Sequence, residues 1–303
     1  MTDDPIAAVR AVGLATVQDG GRPGWADAGV PSSGAWHRGR YLAATALLAG
    51  HPDVSGPAVE LVAGDLDLEV LADTVGAVVG PATLEIDGRH AAVGTALPAA
   101  AGARWVVRPH GRGPVYLVVA GWRPTRVLGS VATDTFSGIG APLGPGETLR
   151  GCADPDAARR IGTFLLAPPE GPTAAPVIRV VPTGSSALVG LAWQVQSVAR
   201  SGVRMTSGRV VEELRGGLVP ASAPMLPGAV QVTPAGEAIV LGPDGGLTGG
   251  YPVIGVVATV DLDLLSLLLP GDTPRLQTVT ARDAQQAFAA RPGPTAVHPH
   301  HLA

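Results

Sequence analysis

TVQDGGRPGWADAGVPSSGAW, residues 16–36, places an Asp-Gly-Gly turn, two prolines and an arginine directly after the strand-like run Val12 to Val17. Asp19 can cap this turn through its carboxylate, or it can pair with Arg22 three residues later. A surface Asp–Arg pair contributes only about 0 to 1 kcal/mol. The alternative is that Arg22 binds a ligand carboxylate in bidentate fashion while the glycine N–H groups complete an anion cradle.

The composition indicates a packed, cytoplasmic protein. The chain has 303 residues, of which 46% are hydrophobic and 15% charged, and no run of eighteen apolar residues lacks Gly, Pro or charge. A membrane span is therefore not expected. The beginning, MTDDPIAAVR, carries acids where a secretory signal would carry bases, and the single Cys152 cannot form an internal disulfide.

Charge and residue types exclude several classes of function. The net charge of -4, without a basic cluster, argues against nucleic-acid binding. All 21 basic residues are Arg, so a Schiff-base Lys and a P-loop Lys are excluded, and any ATP would be held by Arg, by backbone N–H groups or by another chain. The tail HPHH, residues 298–301, lacks a supporting carboxylate, and we expect no metal site.

The pattern along the chain predicts a mainly β protein. The 42 Gly and 29 Pro separate short Val-rich runs throughout the sequence. The turn pair Asp87-Gly88 predicts a hairpin over residues 85–90. The runs expected to form strands are Asp67–Leu71, Gly76–Val79, Thr83–Ile86, Arg104–Val107, Val115–Ala120, Val177–Val181, Gly228–Val232 and Ala238–Leu241.

Helical periodicity is confined to three places. Ser33 is positioned to cap a helix over Ala35–Leu48. A second, shorter helix is expected at Asp261–Leu269, before a Pro-Gly stop. Thr280 and Asp283 have the spacing of a capping box at the start of a third.

A Pro-rich stretch divides the chain almost in half. APPEGPTAAP, residues 167–176, has the composition of a linker, which predicts an N-terminal β domain over 1–166 and a C-terminal β domain over 177–303 with a flexible tail. QDGGRPGWADAGV at 18–30 and PDGGLTGGYPVIGV at 243–256 share a pattern of glycines and an aromatic residue. Either a duplication or the convergence of Gly-rich loops would explain this similarity.

Two arginines and an amide in the second half are further candidates. Arg200 and Arg204 are four residues apart, so on a strand both would point to one face and could bind an anion. They could equally pair with Glu212 and Glu213. Gln231 lies in an apolar run, where its amide needs a partner, either a substrate amide or the local backbone.

A glycine-rich loop near residue 250 offers hydroxyl groups. Thr248 and Tyr251 flank Gly249 and Gly250, an arrangement suited to orienting a carbonyl or phosphoryl group. Asp244 precedes them as a possible base. The alternative is a turn whose glycines are needed for its shape and whose aromatic residue is packed.

These loops belong to a set of matching motifs that extends over roughly residues 8 to 290. The matches are Gly13-Leu14, Thr16-Val17-Gln18-Asp19, Gly21-Arg22-Pro23-Gly24, Gly29-Val30-Pro31, Ser33-Gly34-Ala35, Glu60, Gly64, Tyr116 to Gly121, Leu128-Gly129-Ser130, Thr133-Asp134, Arg200, Gly202, Arg204, Gly228 to Val232, Thr248 to Pro252 and Pro270-Gly271-Asp272. With them the chain resembles the biotin-dependent carboxyltransferase or allophanate hydrolase subunit 2 family, which includes the C subunit of 5-oxoprolinase and KipA-like antagonists of a sporulation-kinase inhibitor.

The resemblance implies two cyclophilin-like β barrels and the role of the C subunit in an ATP-dependent 5-oxoprolinase. That enzyme converts 5-oxoproline, ATP and water to glutamate, ADP and phosphate. This chain would act with the A and B subunits, of which B is related to it, and would be inactive alone. The candidate catalytic residues are Asp19, Asp244, Thr248 and Tyr251, and the candidate substrate-binding residues are Arg22, Arg200, Arg204, Gln231, Gly249 and Gly250.

Two alternatives follow from the same resemblance. The chain could be half of a biotin-dependent carboxyltransferase of the urea carboxylase type, or a KipA-like protein that binds a partner resembling the B subunit without catalysis. The sequence departs from the family pattern at Trp36-His37, Val198-Ala199 and Gly245-Gly246-Leu247. Because acids and other polar side chains expected near the site are missing there, the fold transfers more safely than the activity.

Overall fold

The chain forms two compact units. The computed structural model describes residues 3–49, 56–152, 154–166, 176–183, 191–207, 222–291, 293 and 296–297. Unit 1 comprises Met1–Arg22, His37–Glu170 and Gly293–Ala303, and unit 2 comprises Pro23–Trp36 and Gly171–Pro292. Each unit is built on one large curled sheet, which confirms the predicted mainly β fold with two cyclophilin-like barrels. Within these ranges no helix is long and apolar enough to cross a membrane.

Unit 1 is built on a nine-stranded sheet. Its order is β5-β4-β7-β2-β8-β3-β6, with β1 paired to β2 and β9 paired to β1, and every pairing is antiparallel. The strands are β1 Asp4–Gln18, β2 Ala58–Val70, β3 Thr74–Val79, β4 Ala82–Ile86, β5 Arg89–Ala91, β6 Ala96–Ala99, β7 Arg104–Pro109, β8 Val115–Val119, β9 Thr148–Gly151 and the short β10 Phe164–Leu165.

Alternating apolar residues of these strands form the core of unit 1. Leu61 and Leu66 of β2, Leu84 of β4 and Trp105 of β7 are buried together. The predicted hairpin is confirmed, because β4 pairs with β5 and the turn residue Asp87 adopts the left-handed φ of 51° that such a turn requires.

The helix of unit 1, α1, spans Arg38–Ala49. It begins later than predicted, and Ser33 is not its cap. Ser33 lies before the helix with a left-handed φ of 52°, and its hydroxyl donates to Asp244 and accepts from Nη2 of Arg200. A capping side chain accepts from the N–H groups of the first helical turn, and the start of α1 at Arg38 leaves Ser33 too far before that turn.

Unit 2 contains a seven-stranded sheet. Its order is β12-β13-β16-β15-β18-β11-β19, with β11 and β19 parallel and the other neighbours antiparallel. A separate pair, β14 and β17, completes the unit. The strands are β11 Val177–Pro182, β12 Gln194–Ala199, β13 Gly202–Thr206, β14 Ala223–Pro224, β15 Ala229–Val232, β16 Glu237–Leu241, β17 Thr248–Gly249, β18 Val253–Val257 and β19 Arg275–Thr278.

Two short helices accompany this sheet. The predicted capping box is confirmed, because Thr280 and Asp283 exchange hydrogen bonds at the start of α3, Ala281–Ala289. The other helix, α2, spans only Leu262–Leu265. It begins later than expected because Asp261 lies in a preceding 3-10 turn and its carboxylate accepts hydrogen bonds from Arg179.

The chain returns to unit 1 after α3. The last strand, β20 Ala296–Val297, pairs antiparallel with β10. The predicted linker at 167–175 and the histidine tail at 298–301 lie outside the described residues.

Candidate functional site

Asp19 connects the start of unit 1 to a segment more than a hundred residues away. It follows the last residue of β1 and is buried. Its Oδ1 accepts hydrogen bonds from the Gly21 N–H at 2.8 Å and the Ser130 hydroxyl at 2.5 Å, and its Oδ2 accepts from the Val131 N–H at 3.0 Å. The bond from Gly21 is the Asx turn that the sequence indicated. The two motifs around Asp19 and Ser130 therefore form one structure.

Arg22 does not pair with Asp19. Its side chain is 2% exposed, and Nη2 donates to the carbonyl oxygen of Ala132. Nε and Nη1 are buried without any hydrogen-bond partner, and no described carboxylate forms an ion pair with this guanidinium. A buried guanidinium with unused N–H donors can bind an anion.

Two neighbouring polar groups were not assigned any role from the sequence. Gln18 is fully buried, and its Nε2 donates to the Thr133 carbonyl oxygen and the Thr16 hydroxyl, while its Oε1 has no partner. Asp134 is also fully buried, and its Oδ1 accepts from the N–H groups of Phe136 and Ser137 while Oδ2 has no partner. Both belong to matching motifs, and that membership was the only signal for them.

A second buried polar network lies at the start of α1. Tyr116 donates to the fully buried Glu60 at 2.6 Å and accepts from the His37 N–H at 2.9 Å. The Nδ1 atom of His37 accepts from the Arg40 N–H. The network ties β2, β8 and the helix together, and sequence reasoning noted Glu60 and His37 without connecting them.

In unit 2, Arg200 and Asp244 form a buried ion pair. Nε of Arg200 donates to Asp244 Oδ2 at 2.6 Å and Nη2 donates to Oδ1 at 2.8 Å, a bidentate geometry. Ser33 donates to the same carboxylate at 2.5 Å, and Nη2 of Arg200 also donates to the Gly34 carbonyl oxygen. The structure thus brings the end of the opening loop to the segment at residue 244.

The spacing suggested that Arg200 and Arg204 could share one strand, but the structure places them apart. Arg200 lies in the turn between β12 and β13, whereas Arg204 is exposed on β13 with Glu237 at 3.9 Å. The turn separates them because Gly202 begins the new strand. Their other predicted partners, Glu212 and Glu213, lie outside the described residues.

Gln231 and Gly249 are in close contact. Gln231 is buried on β15, and its Nε2 has no hydrogen-bond partner. A Cβ atom added to Gly249 would lie 2.2 Å from that Nε2, so a larger residue there would require the Gln231 amide to move. Thr248 and Tyr251 are exposed beside it, and Gly250 is partly buried.

The predicted site residues are therefore divided between the two units. Asp19 and Arg22 belong to unit 1, and the others belong to unit 2. Within unit 2, Arg200 contacts Asp244 and Gln231 contacts Gly249. Unit 1 provides a buried guanidinium together with buried acceptor atoms. Unit 2 provides the Arg200–Asp244 ion pair and a loop with exposed hydroxyl groups.

This fold and these motifs define a class of protein. The model of the carboxyltransferase domain, subdomains A and B, matches residues 28–278, and the chain belongs to this family. Among curated proteins, the chain is similar to the C subunit of 5-oxoprolinase from Escherichia coli strain K12, with 31% identity over 270 residues and 84% of each protein covered.

Solved structures show the same fold within larger proteins. The protein TTHA0988 has a TM-score of 0.77 and 28% identity, and the match covers 90% of this chain but 55% of that one. The urea carboxylase of Kluyveromyces lactis has a TM-score of 0.79 at 22% identity, with 94% of this chain and 28% of that one covered. The chain thus spans about half of the first of these and a smaller part of the second.

Proposed function

We propose that this chain is the C subunit of an ATP-dependent 5-oxoprolinase and opens the lactam of 5-oxoproline together with other subunits. The observation that carries the proposal is the 31% identity to the C subunit of the Escherichia coli enzyme, which extends over 84% of both proteins. A match over nearly the whole of both chains is the expected result for the same component of one enzyme. The family match alone would fit several activities.

The described side chains support an anionic amide as the substrate. Arg22 offers a buried guanidinium without a carboxylate partner, which suits the carboxylate of 5-oxoproline. Unit 2, taken by itself, presents the exposed hydroxyls of Thr248 and Tyr251 next to Gly249 and Gly250, which suits polar contacts with a carbonyl or phosphoryl group. Arg204 is exposed near Glu237, and we assign it no contact with substrate.

We assign the two aspartates positioning roles. Asp19 already accepts three hydrogen bonds from its own unit, and Asp244 is bound by Arg200 and Ser33. Both carboxylates are buried and their oxygens already accept these hydrogen bonds, so they hold neighbouring segments in place. Arg200 is likewise engaged by Asp244, which leaves Arg22 as the better candidate for the substrate carboxylate.

A triphosphate requires several cationic or N–H donors, yet the chain contains no Lys and Arg200 is already paired with Asp244. We therefore place ATP on a partner protein, where its chemistry would activate the lactam oxygen. The partners we propose are a chain resembling the B subunit, with the A subunit as the third component, in the cytoplasm. The curated relative is itself named as one subunit of its enzyme.

Reconstitution tests this function directly. The chain is purified with its candidate A and B subunits, and the release of glutamate from 5-oxoproline and ATP is measured. We expect turnover with all three components and none when this chain is omitted. Arg22→Gln should lower turnover, whereas Arg159→Gln, which changes an 82% exposed side chain, should not. Absence of glutamate release from the folded three-component complex would reject the proposal.

The family match favours a second candidate, half of a biotin-dependent carboxyltransferase. The likeness to urea carboxylase supports the fold of such a domain, at 22% identity. This candidate predicts carboxyl transfer from carboxybiotin to a urea-like acceptor, measured with a biotin carboxylase and its carrier. A third candidate, a KipA-like binding protein, is supported by the departures at Trp36-His37 and Val198-Ala199, and it predicts complex formation without turnover.

A further inference from the structure

Three buried polar side chains of unit 1 lie at one short segment, residues 132–134, two of them by donating to it and the third as part of it. Arg22 donates to the carbonyl oxygen of Ala132, Gln18 donates to that of Thr133, and the third side chain is that of Asp134 itself. Successive Cα atoms are about 3.8 Å apart, so the anchoring points span two peptide units. The three side chains therefore converge on a short stretch of backbone.

Each of these side chains keeps at least one polar atom without a partner. The unused atoms are Nε and Nη1 of Arg22, Oε1 of Gln18 and Oδ2 of Asp134. Their residues are 2%, 0% and 0% exposed, respectively. An unsatisfied buried donor or acceptor costs about 1 to 3 kcal/mol, and more when it is charged, so an occupant that pairs with these atoms would stabilise the unit.

The unused atoms specify the chemistry of that occupant. The N–H groups of Arg22 require an acceptor, and a carboxylate matches the charge of the guanidinium. The oxygens of Gln18 and Asp134 require a donor, and an N–H group meets that need. A ligand that carries an N–H on the carbon next to its carboxylate presents both within the span of two peptide units.

We propose that Gln18, Arg22 and Asp134 form a recognition site within unit 1 for a carboxylate with an adjacent amide N–H. The choice of 5-oxoproline as this ligand rests on the proposed function. Arg22 binds the carboxylate, and the oxygens of Gln18 and Asp134 accept the lactam N–H. The site distinguishes the lactam from its lactone analogue, because the ring oxygen of the lactone offers no hydrogen to the two acceptors.

Binding to the full chain without its partners tests the site. Isothermal titration calorimetry compares 5-oxoproline, 2-pyrrolidinone, which lacks the carboxylate, and 5-oxotetrahydrofuran-2-carboxylate, which replaces the N–H with oxygen. We expect 5-oxoproline to bind and each analogue to bind at least about 10-fold more weakly, the change that loss of one charged or buried hydrogen bond produces. Lack of 5-oxoproline binding, or equal affinity for the lactone, overturns the proposal.

Two variants assign the contacts to residues. Arg22→Gln should weaken 5-oxoproline binding by about 10- to 100-fold and leave 2-pyrrolidinone unaffected. Asp134→Asn keeps an acceptor for Phe136 and Ser137 but places an amide NH₂ where Oδ2 was, so the preference for lactam over lactone should fall or reverse. A purely structural role would not change that ratio in the folded variant. Arg159→Gln serves as the matched control and should alter no affinity by more than about 2-fold.

The outcome is separable from that of the proposed function. Selective binding of 5-oxoproline without turnover in the reconstituted complex would retain the site and reject the enzyme assignment. Turnover in that complex without lactam selectivity in the binding experiment would retain the enzyme assignment and reject this site. The analogue comparison on the unaltered chain decides the matter even if both variants fail to fold.

Discussion

Ser130 donates a 2.5 Å hydrogen bond to the buried carboxylate of Asp19, 111 positions earlier in the sequence. The same carboxylate accepts from the N–H groups of Gly21 and Val131. It therefore fixes both the turn after β1 and the segment that carries Asp134. Asp19 thus joins these two segments through its side chain, as Gln18 and Arg22 also do.

Replacement of Asp19 should destabilise unit 1. Asp19→Ala leaves three buried or partly buried donors without their acceptor, and we expect the free energy of unfolding to fall by about 2 to 4 kcal/mol. Ser130→Ala removes one of these bonds and should cost about 1 kcal/mol. Urea denaturation of both variants and of the double variant measures the coupling. Asp27→Ala, at an exposed position, is the control, and an equal effect there would contradict the argument.

The ion pair of unit 2 predicts that Arg200 contributes more to stability than Arg204. Arg200→Ala leaves the buried carboxylate of Asp244 without its cation, which should cost about 3 to 5 kcal/mol of unfolding free energy. The double variant Arg200→Ala with Asp244→Ala should be less destabilised than the sum of the single variants. Arg204→Ala removes an exposed charge 3.9 Å from Glu237 and should change stability by less than about 0.5 kcal/mol. Similar losses for the two arginines would show that Asp244 does not depend on its partner.

A glycine supports the same ion pair from the backbone. A Cβ atom at Gly242 would lie 2.1 Å from the carbonyl oxygen of Arg200, and backbone atoms cannot move aside as a flexible side chain can. We expect Gly242→Ala to lower the free energy of unfolding by about 1 to 3 kcal/mol. At Gly246 the nearest atom is 3.6 Å away, so Gly246→Ala should be tolerated. Chemical denaturation of the two variants side by side makes the comparison, and a tolerated Gly242→Ala would show that the turn adapts.

Acid should remove the contribution of one ion pair in unit 1. Hydrogen bonds from Arg104 lower the pKa of Asp67 below its usual value, against the opposing effect of burial. Because the folded pKa is depressed, the pair stabilises the protein above the unfolded pKa of about 3.9, and this contribution disappears as the pH falls through the folded pKa. The stability difference between the unaltered chain and Asp67→Asn should therefore shrink below about pH 4.

Urea unfolding at a series of pH values measures this difference. Arg104→Gln removes the donor of the same hydrogen bonds and should reproduce the flattened pH dependence of Asp67→Asn. A difference that stays constant from neutral pH to the acid range would show that the pair does not govern the titration of Asp67.

Local features of the sequence predicted local structure well. The turn at Asp87, the capping box at Thr280 and the Asx turn at Asp19 all depend on side chains and backbone groups within a few residues, so their spacing is sufficient. The strands were predicted from Val-rich runs between glycines and prolines for the same reason.

Long-range partners could not be predicted in this way. The helix predicted over Ala35–Leu48 begins only at Arg38, and its predicted cap Ser33 binds Asp244 instead. The role of Gln18 depends on Thr133, 115 positions away. The spacing of residues along the chain does not show which distant residues a side chain contacts. Gln18 and Asp134 were visible only as members of motifs, and their unused atoms become apparent only when burial and hydrogen bonding are known.

The pairing of β10 with β20 has a consequence for biosynthesis. All of unit 2 precedes β20 in the chain, so the ribosome delivers every strand of unit 2 before it delivers the partner of β10. Synthesis of unit 1 therefore begins before that of unit 2 and ends after it. A nascent chain stalled after α3 would contain all the described strands of unit 2, whereas β10 at Phe164 would lack its partner strand β20.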